Sequence, residues 1–227
     1  MMDFEAQGKK IRIFLQDKKE EALPVVVTVS YEDEGRELYE TCRQIGCDGL
    51  ILVSVYGIDW NGDLSPWKAK APFKGSGDFG GGADLFLETL TKDIIPEADE
   101  LIIKAGYAIA CHAIAGYSLA GLFSLYSIYN TDLFEAAASV SGSLWYPGFG
   151  PYYEERALSR NIKRIYLSLG DREAKTRNEV MASVEKETLA YFDHYRDRVD
   201  IFFEFNEGNH FREPLLRTAK GIRYVIG

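Results

Sequence analysis

Ala108-Ile109-Ala110-Cys111-His112-Ala113-Ile114-Ala115 runs directly into Gly116-Tyr117-Ser118-Leu119-Ala120-Gly121, and a helix-forming stretch, residues 122–130, follows at once. The first stretch reads as a buried strand and the last as a helix, so Ser118 falls at the turn between them. A serine at so sharp a strand-to-helix turn takes a strained backbone conformation, and its hydroxyl stands clear of the sheet. The residues two positions either side approach too closely for any but very small side chains. Here they are Gly116 and Ala120, with Gly121 giving further room. Ala120 stands where the common form of this motif has glycine, a mild departure that a single methyl tolerates. The same letters also fit a strand that ends in a glycine-rich turn with Ser118 as a helix N-cap. The setting between strand and helix, in the middle of an alternating chain, favours Ser118 as a nucleophile.

Working outward, strand-like and helix-like runs alternate along the chain. Residues 11–15 read as a strand, paired in a hairpin with residues 3–7, and residues 24–30 and 50–56 as buried strands. Residues 37–45 read as a helix closed by Gly46, and residues 83–95 as a helix that stops at Pro96. Beyond the central turn, strands are expected at 136–140, 162–169 and 199–205. A long amphipathic helix is expected at 178–196, and a closing helix at 215–225. Apolar strands bounded by helices predict an α/β fold in one domain over residues 1–227, a mostly parallel sheet with helices on both faces.

Composition narrows the function. The chain has 227 residues, 46% of them hydrophobic, and a formal net charge of −9. Basic residues cluster only in short pieces such as Lys9-Lys10 and Lys18-Lys19, which argues against nucleic acid or an anionic membrane as partner. The first residues show no signal peptide and no run is long and apolar enough to span a bilayer. Cys42, Cys47 and Cys111 are odd in number and lack metal-ligand spacing, with Cys111 in an expected buried strand. A cytoplasmic, disulfide-free protein without metal or cofactor is therefore expected, with oligomeric state left open. The run Gly75-Ser76-Gly77-Asp78-Phe79-Gly80-Gly81-Gly82 lacks the Lys-Ser/Thr of a phosphate-binding loop and reads as a flexible loop.

A serine nucleophile needs a general base, usually a histidine that a carboxylate orients. Of three histidines, His112 reads as a core or sheet-face residue and His194 as solvated on a helix. His210 lies just beyond the last strand, where a loop can carry its imidazole to Ser118. The acid should follow the preceding strand, and Asp171 and Glu173 both qualify. The order Ser118, then Asp171 or Glu173, then His210 is the order expected on a hydrolase sheet. Oxyanion donors are expected from the Leu119 amide, at the start of a helix, and from the Tyr31 amide, with Glu32 next. Two long segments, residues 57–82 with Trp60, Trp67, Phe73 and Phe79, and residues 141–160 with Trp145, follow strand ends. Their aromatics either line an apolar substrate cleft or pack as a satellite core.

The stretches Gly116-Tyr117-Ser118-Leu119-Ala120-Gly121-Leu122-Phe123, Ser168-Leu169-Gly170-Asp171-Arg172-Glu173 and Gly208-Asn209-His210-Phe211 make the chain resemble the α/β-hydrolase superfamily. Within it the chain looks most like the esterase group that includes enterochelin-esterase-like and esterase-D-like enzymes. Asp63-Leu64-Ser65-Pro66-Trp67 resembles a segment near the active site of such proteins. The resemblance implies a largely parallel sheet with its triad at the C-terminal edge and no large lid. It favours Glu173 over Asp171, because the superfamily's acid often stands three residues after a glycine, here Gly170. It also implies a cofactor-free serine esterase that cleaves a small-molecule carboxylic ester through an acyl-enzyme. An acyltransferase with the same triad, or a catalytically silent binding relative, are the alternatives. The acidic chain offers no obvious cationic surface for an anionic siderophore.

Overall fold

Val25-Val26-Val27-Thr28-Val29 is β-branched throughout, which stiffens an extended chain, and is apolar on both sides, which suits a strand covered on both faces. It forms the heart of β3 (Ala22–Val29), whose residues Val25, Val27 and Val29 enter one hydrophobic cluster while Val26 enters another. The computed structural model describes all residues except 17–21, 73, 74 and 76. Lys18, Lys19, Phe73 and Ser76, which entered the sequence reading, lie outside the described residues.

The other strands are β1 (Met2–Ala6), β2 (Lys9–Phe14), β4 (Ile51–Tyr56), β5 (Lys68–Ala69), β6 (Phe79–Gly80), β7 (Ala108–Tyr117), β8 (Phe134–Val140), β9 (Arg164–Gly170) and β10 (Asp200–Asn206). Eight form one sheet in the order β1-β2-β4-β3-β7-β8-β9-β10, and β5 pairs with β6 apart from it. The hairpin β1–β2 and the β2–β4 pair are antiparallel; every pair from β4 to β10 is parallel. This is the α/β-hydrolase architecture expected.

The helices are α1 (Gly35–Gln44), α2 (Trp60–Asp63), α3 (Ala83–Thr89), α4 (Ile95–Lys104), α5 (Leu119–Asn130), α6 (Phe149–Glu154), α7 (Glu179–Ala182), α8 (Val184–Tyr195) and α9 (Pro214–Ile226). α1 and α9 cover one face of the sheet through Leu38, Cys42, Ala219 and Ile222. α3, α4, α5 and α8 cover the other through Phe86, Ala98, Phe123 and Tyr191. α5 is buried continuously from Leu119 to Ile128 and so has no solvated stripe along that length. Gly46, at φ 73°, ends α1 as expected.

Four local expectations need correction. The helix beginning at Ala83 does not stop at Pro96; it passes through a π-helical turn, Leu90–Ile94, and continues as α4. Pro96 sits in the first turn of α4, directly after the π-helical turn. The helix expected at 178–196 divides at Ser183 into α7 and α8. The glycine run is not a free loop over its second half, since Phe79–Gly80 pairs with β5. A Cβ on Gly81 would lie 2.6 Å from the Lys68 nitrogen, so glycine there permits the crossing. Cys111 is only partly buried, whereas Cys42 and Cys47 are buried, and none of the three is in a disulfide.

α9 reaches the sheet closely at Gly221, where a Cβ would stand 2.9 Å from Tyr166 Cδ1 and 3.1 Å from Ala138 Cβ. In an exposed helix, Gly→Ala gains about 1 kcal/mol. Here overpacking should outweigh that gain, so Gly221→Ala is expected to destabilise by about 1–3 kcal/mol in urea unfolding. A more stable variant would show that α9 can retreat from the sheet.

Candidate active site

Ser118 has φ 59° and ψ −119°, a conformation that costs a non-glycine residue about 1–3 kcal/mol and persists only where its surroundings impose it. Three hydrogen bonds impose it: Ser118 N–H to Val140 O (2.9 Å), and the amides of Leu122 (3.1 Å) and Ser143 (3.0 Å) to Ser118 O. Space does the rest. A Cβ on Gly116 would fall 2.3 Å from Ala120 O and 2.8 Å from Ala120 Cβ. Glycine is therefore required at 116, while Ala120 keeps its one methyl buried beside it.

β7, β9 and β10 end at the same edge of the sheet, with β8 between β7 and β9, and the residues just after them meet. His210 Nε2 lies 3.0 Å from Ser118 Oγ, and His210 Nδ1 lies 2.9 Å from Glu173 Oε2. The Tyr117 hydroxyl donates to the His210 carbonyl, and the two rings pack with centroids 5.3 Å apart. Asp171 is turned away from the imidazole. Its Oδ1 accepts from the Gly208 amide at 2.7 Å, while its own N–H donates to Asn206 O at 2.8 Å, so it braces the loop that carries His210. Of the two acids legible in the sequence, the structure joins Glu173 to the histidine.

Glu173 is buried, and its second oxygen is fully engaged. Oε1 accepts from the Ser141 hydroxyl (2.6 Å), the Gly170 amide (2.6 Å) and Arg217 Nη1 (3.2 Å). Burial pushes the carboxyl up, but hydrogen bonds from His210 and Ser141, the His210 charge and the Gly170 amide together hold it below the usual carboxylate range. Gly170 explains the three-residue spacing to Glu173: a Cβ there would lie 2.3 Å from Gly208 O and 3.0 Å from Arg217 Nη2. Arg217 and Ser141 were not singled out in the sequence. Arg217 sits on an amphipathic helix that also carries Lys220 and Arg223, and nothing in its local pattern separates it from a solvated residue.

A cavity of about 300 Å³ opens beside Ser118 and His210. Tyr31, Trp60, Tyr117, Phe211 and Leu215 are among its lining residues. Trp60 meets Tyr31 edge to face at 6.2 Å, and Phe211 is 84% exposed at the rim. Trp67 and Trp145 are not among this cavity's lining residues. Trp67 donates to Pro147 O at 2.8 Å and packs on Tyr146 and Tyr152, and Trp145 packs on Phe79 and Tyr146. Both tryptophans thereby join the two long segments to each other. Leu119 opens α5, so its N–H belongs to the first turn, which has no intrahelical acceptor.

The other histidines are elsewhere. His112 Nε2 lies 3.0 Å from Asp99 Oδ1 on α4. His194 is half-buried against the rings of Tyr153 and Tyr195 rather than solvated, and burial, with Arg198, lowers its pKa. Among the described residues no group of three or more His, Cys, Asp or Glu side chains could hold a metal, and no helix is long and apolar enough to cross a membrane.

Known proteins resemble this chain in sequence and in fold. Uncharacterized protein YbbA of Bacillus subtilis (strain 168) is 24% identical over 144 residues, 61% of this chain. The chain spans little more than half of that relative, 56% of its length. An IroE-like serine hydrolase from Shewanella oneidensis matches the fold with a TM-score of 0.77 at 19% identity, over 98% of this chain and 78% of that one. Siderophore hydrolase EstB from Aspergillus nidulans matches with a TM-score of 0.73 at 17% identity, over 99% and 95% of the two chains. At these identities the likeness to solved structures is one of fold. The family model described as "Putative esterase" matches residues 6–199, most of the chain, and the protein belongs to that family.

Proposed function

We propose that this protein is a serine hydrolase that cleaves small carboxylic esters through Ser118, His210 and Glu173. The observation that carries the reading is the histidine that spans the other two, 3.0 Å from Ser118 Oγ and 2.9 Å from Glu173 Oε2. Ser118 Oγ attacks the ester carbonyl as His210 Nε2 takes its proton, and Glu173 holds the Nδ1–H and stabilises the imidazolium. The oxyanion of the tetrahedral intermediate accepts hydrogen bonds from the amides of Leu119 and Tyr31, one at the start of α5 and the other beside the same cavity. His210 then protonates the departing alcohol, leaving an acyl-Ser118 ester. Water activated by the same imidazole hydrolyses that ester and restores Ser118. The apolar walls contributed by Trp60, Tyr117 and Leu215 suit an ester with an apolar substituent.

Ser118→Ala is expected to abolish hydrolysis of p-nitrophenyl acetate while leaving the thermal melt close to wild type. A fluorophosphonate probe should modify Ser118 in the wild type, and an adduct confined to another serine would overturn the assignment.

The two acids should separate cleanly. Converting the acid of a serine protease triad to its amide costs about four orders of magnitude in kcat. A loss of that order is expected for Glu173→Gln, and less than about tenfold for Asp171→Asn, since Asp171 bonds the loop and not the ring. Stability supplies an independent reading. The carboxyl of Glu173 is held below its ordinary value of 4.5, so its ionised form stabilises the fold above that value, and the contribution is lost as pH falls through the lower folded value. The melting-temperature gap between wild type and Glu173→Gln should therefore narrow between about pH 6 and pH 3. A gap that widens on acidification would contradict the assigned direction of the shift.

A further inference from the structure

Arg217 is a cation in an unusual place. It lies on α9, 1% exposed, on the side of Glu173 opposite the histidine. Nη1 is 3.2 Å from Glu173 Oε1, 3.3 Å from Ser141 Oγ and 3.4 Å from the Tyr117 hydroxyl. Nη2 donates to Glu207 O at 2.9 Å, in the loop that carries His210. A buried guanidinium is costly to desolvate, so its retention calls for a paired charge, and Glu173 supplies it. We infer that Arg217 is a positioning residue whose charge sets the proton affinity of the His210–Glu173 pair. The inference rests on the proposed roles of Ser118, His210 and Glu173.

The physical argument concerns the pair as a unit. The unit must be Glu173 carboxylate with neutral His210 to accept the proton of Ser118. Binding one more proton disables it, whichever of the two groups takes that proton. A fixed positive charge beside Glu173, shielded from water, opposes that protonation and keeps the unit competent at lower pH. Replacing the charge with a neutral side chain must raise the pH at which the unit becomes active.

Other ionisable groups surround the pair, and none does the same work. Tyr117, on β7, bonds the backbone of His210 and not its ring. Asp171 and Arg172, after β9, lie 3.7 Å from each other, and Asp171 bonds the Gly208 amide. After β10, Arg212 pairs with Glu207 at 3.2 Å and with Glu213 at 3.7 Å, all three well exposed and screened. Tyr31 and Glu34 also line the cavity, and neither is in hydrogen-bond contact with His210 or Glu173. Among the described residues, Arg217 is the one arginine or lysine in hydrogen-bond contact with Glu173.

The test is the pH dependence of kcat/KM for p-nitrophenyl acetate in wild type, Arg217→Met, Arg217→Gln and Arg217→Lys, with folding checked by thermal melt and Ser118→Ala as the blank. The neutral variants should show the acid limb displaced upward by about one pH unit or more, the effect of removing an opposite charge within hydrogen-bond range. The lysine variant should keep the limb within a few tenths of a unit of wild type while losing turnover, since charge survives but the two-pronged geometry does not. Neutral variants that fold and lose activity with the limb unmoved would overturn the inference, because a merely structural arginine changes turnover without changing proton affinity. If both neutral variants fail to fold, the lysine variant decides: a limb displaced upward with the charge retained overturns the inference, and an unmoved limb supports it. Activity in Ser118→Ala equal to wild type would instead sink the proposed function, so the two failures are distinct.

Discussion

The turn at Ser118 exists because two backbone segments touch. With Gly116 Cα set against the carbonyl and methyl of Ala120, the chain reverses from strand to helix within a few residues. The helix then starts at Leu119, the residue after the serine. The strain at Ser118, with φ 59°, is held by bonds to Val140 at the end of β8, from Leu122 in α5 and from Ser143 in the loop after β8. α5 is buried along most of its length, so the turn cannot relax without exposing a helix that has no polar face. Local strain and global packing thus support the same geometry.

The parallel sheet is the second constraint. β7, β9 and β10 run in the same direction, so the loops that follow them emerge at one edge even though Ser118, Glu173 and His210 are far apart in sequence. Two loops are then bound to each other rather than merely adjacent. Asp171 takes the Gly208 amide, Arg172 N–H donates to Gly208 O, and Gly170 leaves the room that makes this approach possible. Arg217 reaches across beneath both, from Glu173 to Glu207 O. The acid and the histidine are held by one network of buried polar bonds, in which each member satisfies another.

Much of the sheet was legible because its strands obey a simple physical rule. Strands covered on both faces are apolar at nearly every position, as in Val25 to Val29 and Ile51 to Val55 with Thr28 and Ser54 the exceptions, and such runs stand out from the helices between them. Pro96 shows where the rule fails. Proline reads as a terminator, but a π-helical turn ahead of it lets the helix run on past the same residue as α4, with Ile94, Ile95 and Ala98 packed in the core. His194 departs for a related reason: Arg198, four residues on, lies 3.0 Å from its Nε2, but the ring also packs against Tyr153, which a distant segment brings alongside.

The candidate site divides along the same line. Ser118 could be found in the sequence because its requirement is local: small residues two positions away, a strand before and a helix after. His210 could be found because only three histidines exist and one follows the last strand. The choice between Asp171 and Glu173 is not local. Both carboxylates leave the same loop, and only the path of that loop over Gly208 turns one toward the backbone and the other toward the imidazole. Arg217 was beyond sequence reading altogether, since on a helix that also carries Lys220 and Arg223 a buried cation and a solvated one are spelled alike. By itself the sequence determined the strands of the central sheet, most of the long helices between them and the strained serine, because these rest on residue size, branching and period within a few positions. Which acid meets the histidine, which tryptophan lines the cavity and which arginine is buried were decided by the tertiary structure, because burial and hydrogen-bond partners are properties of what the rest of the chain brings alongside.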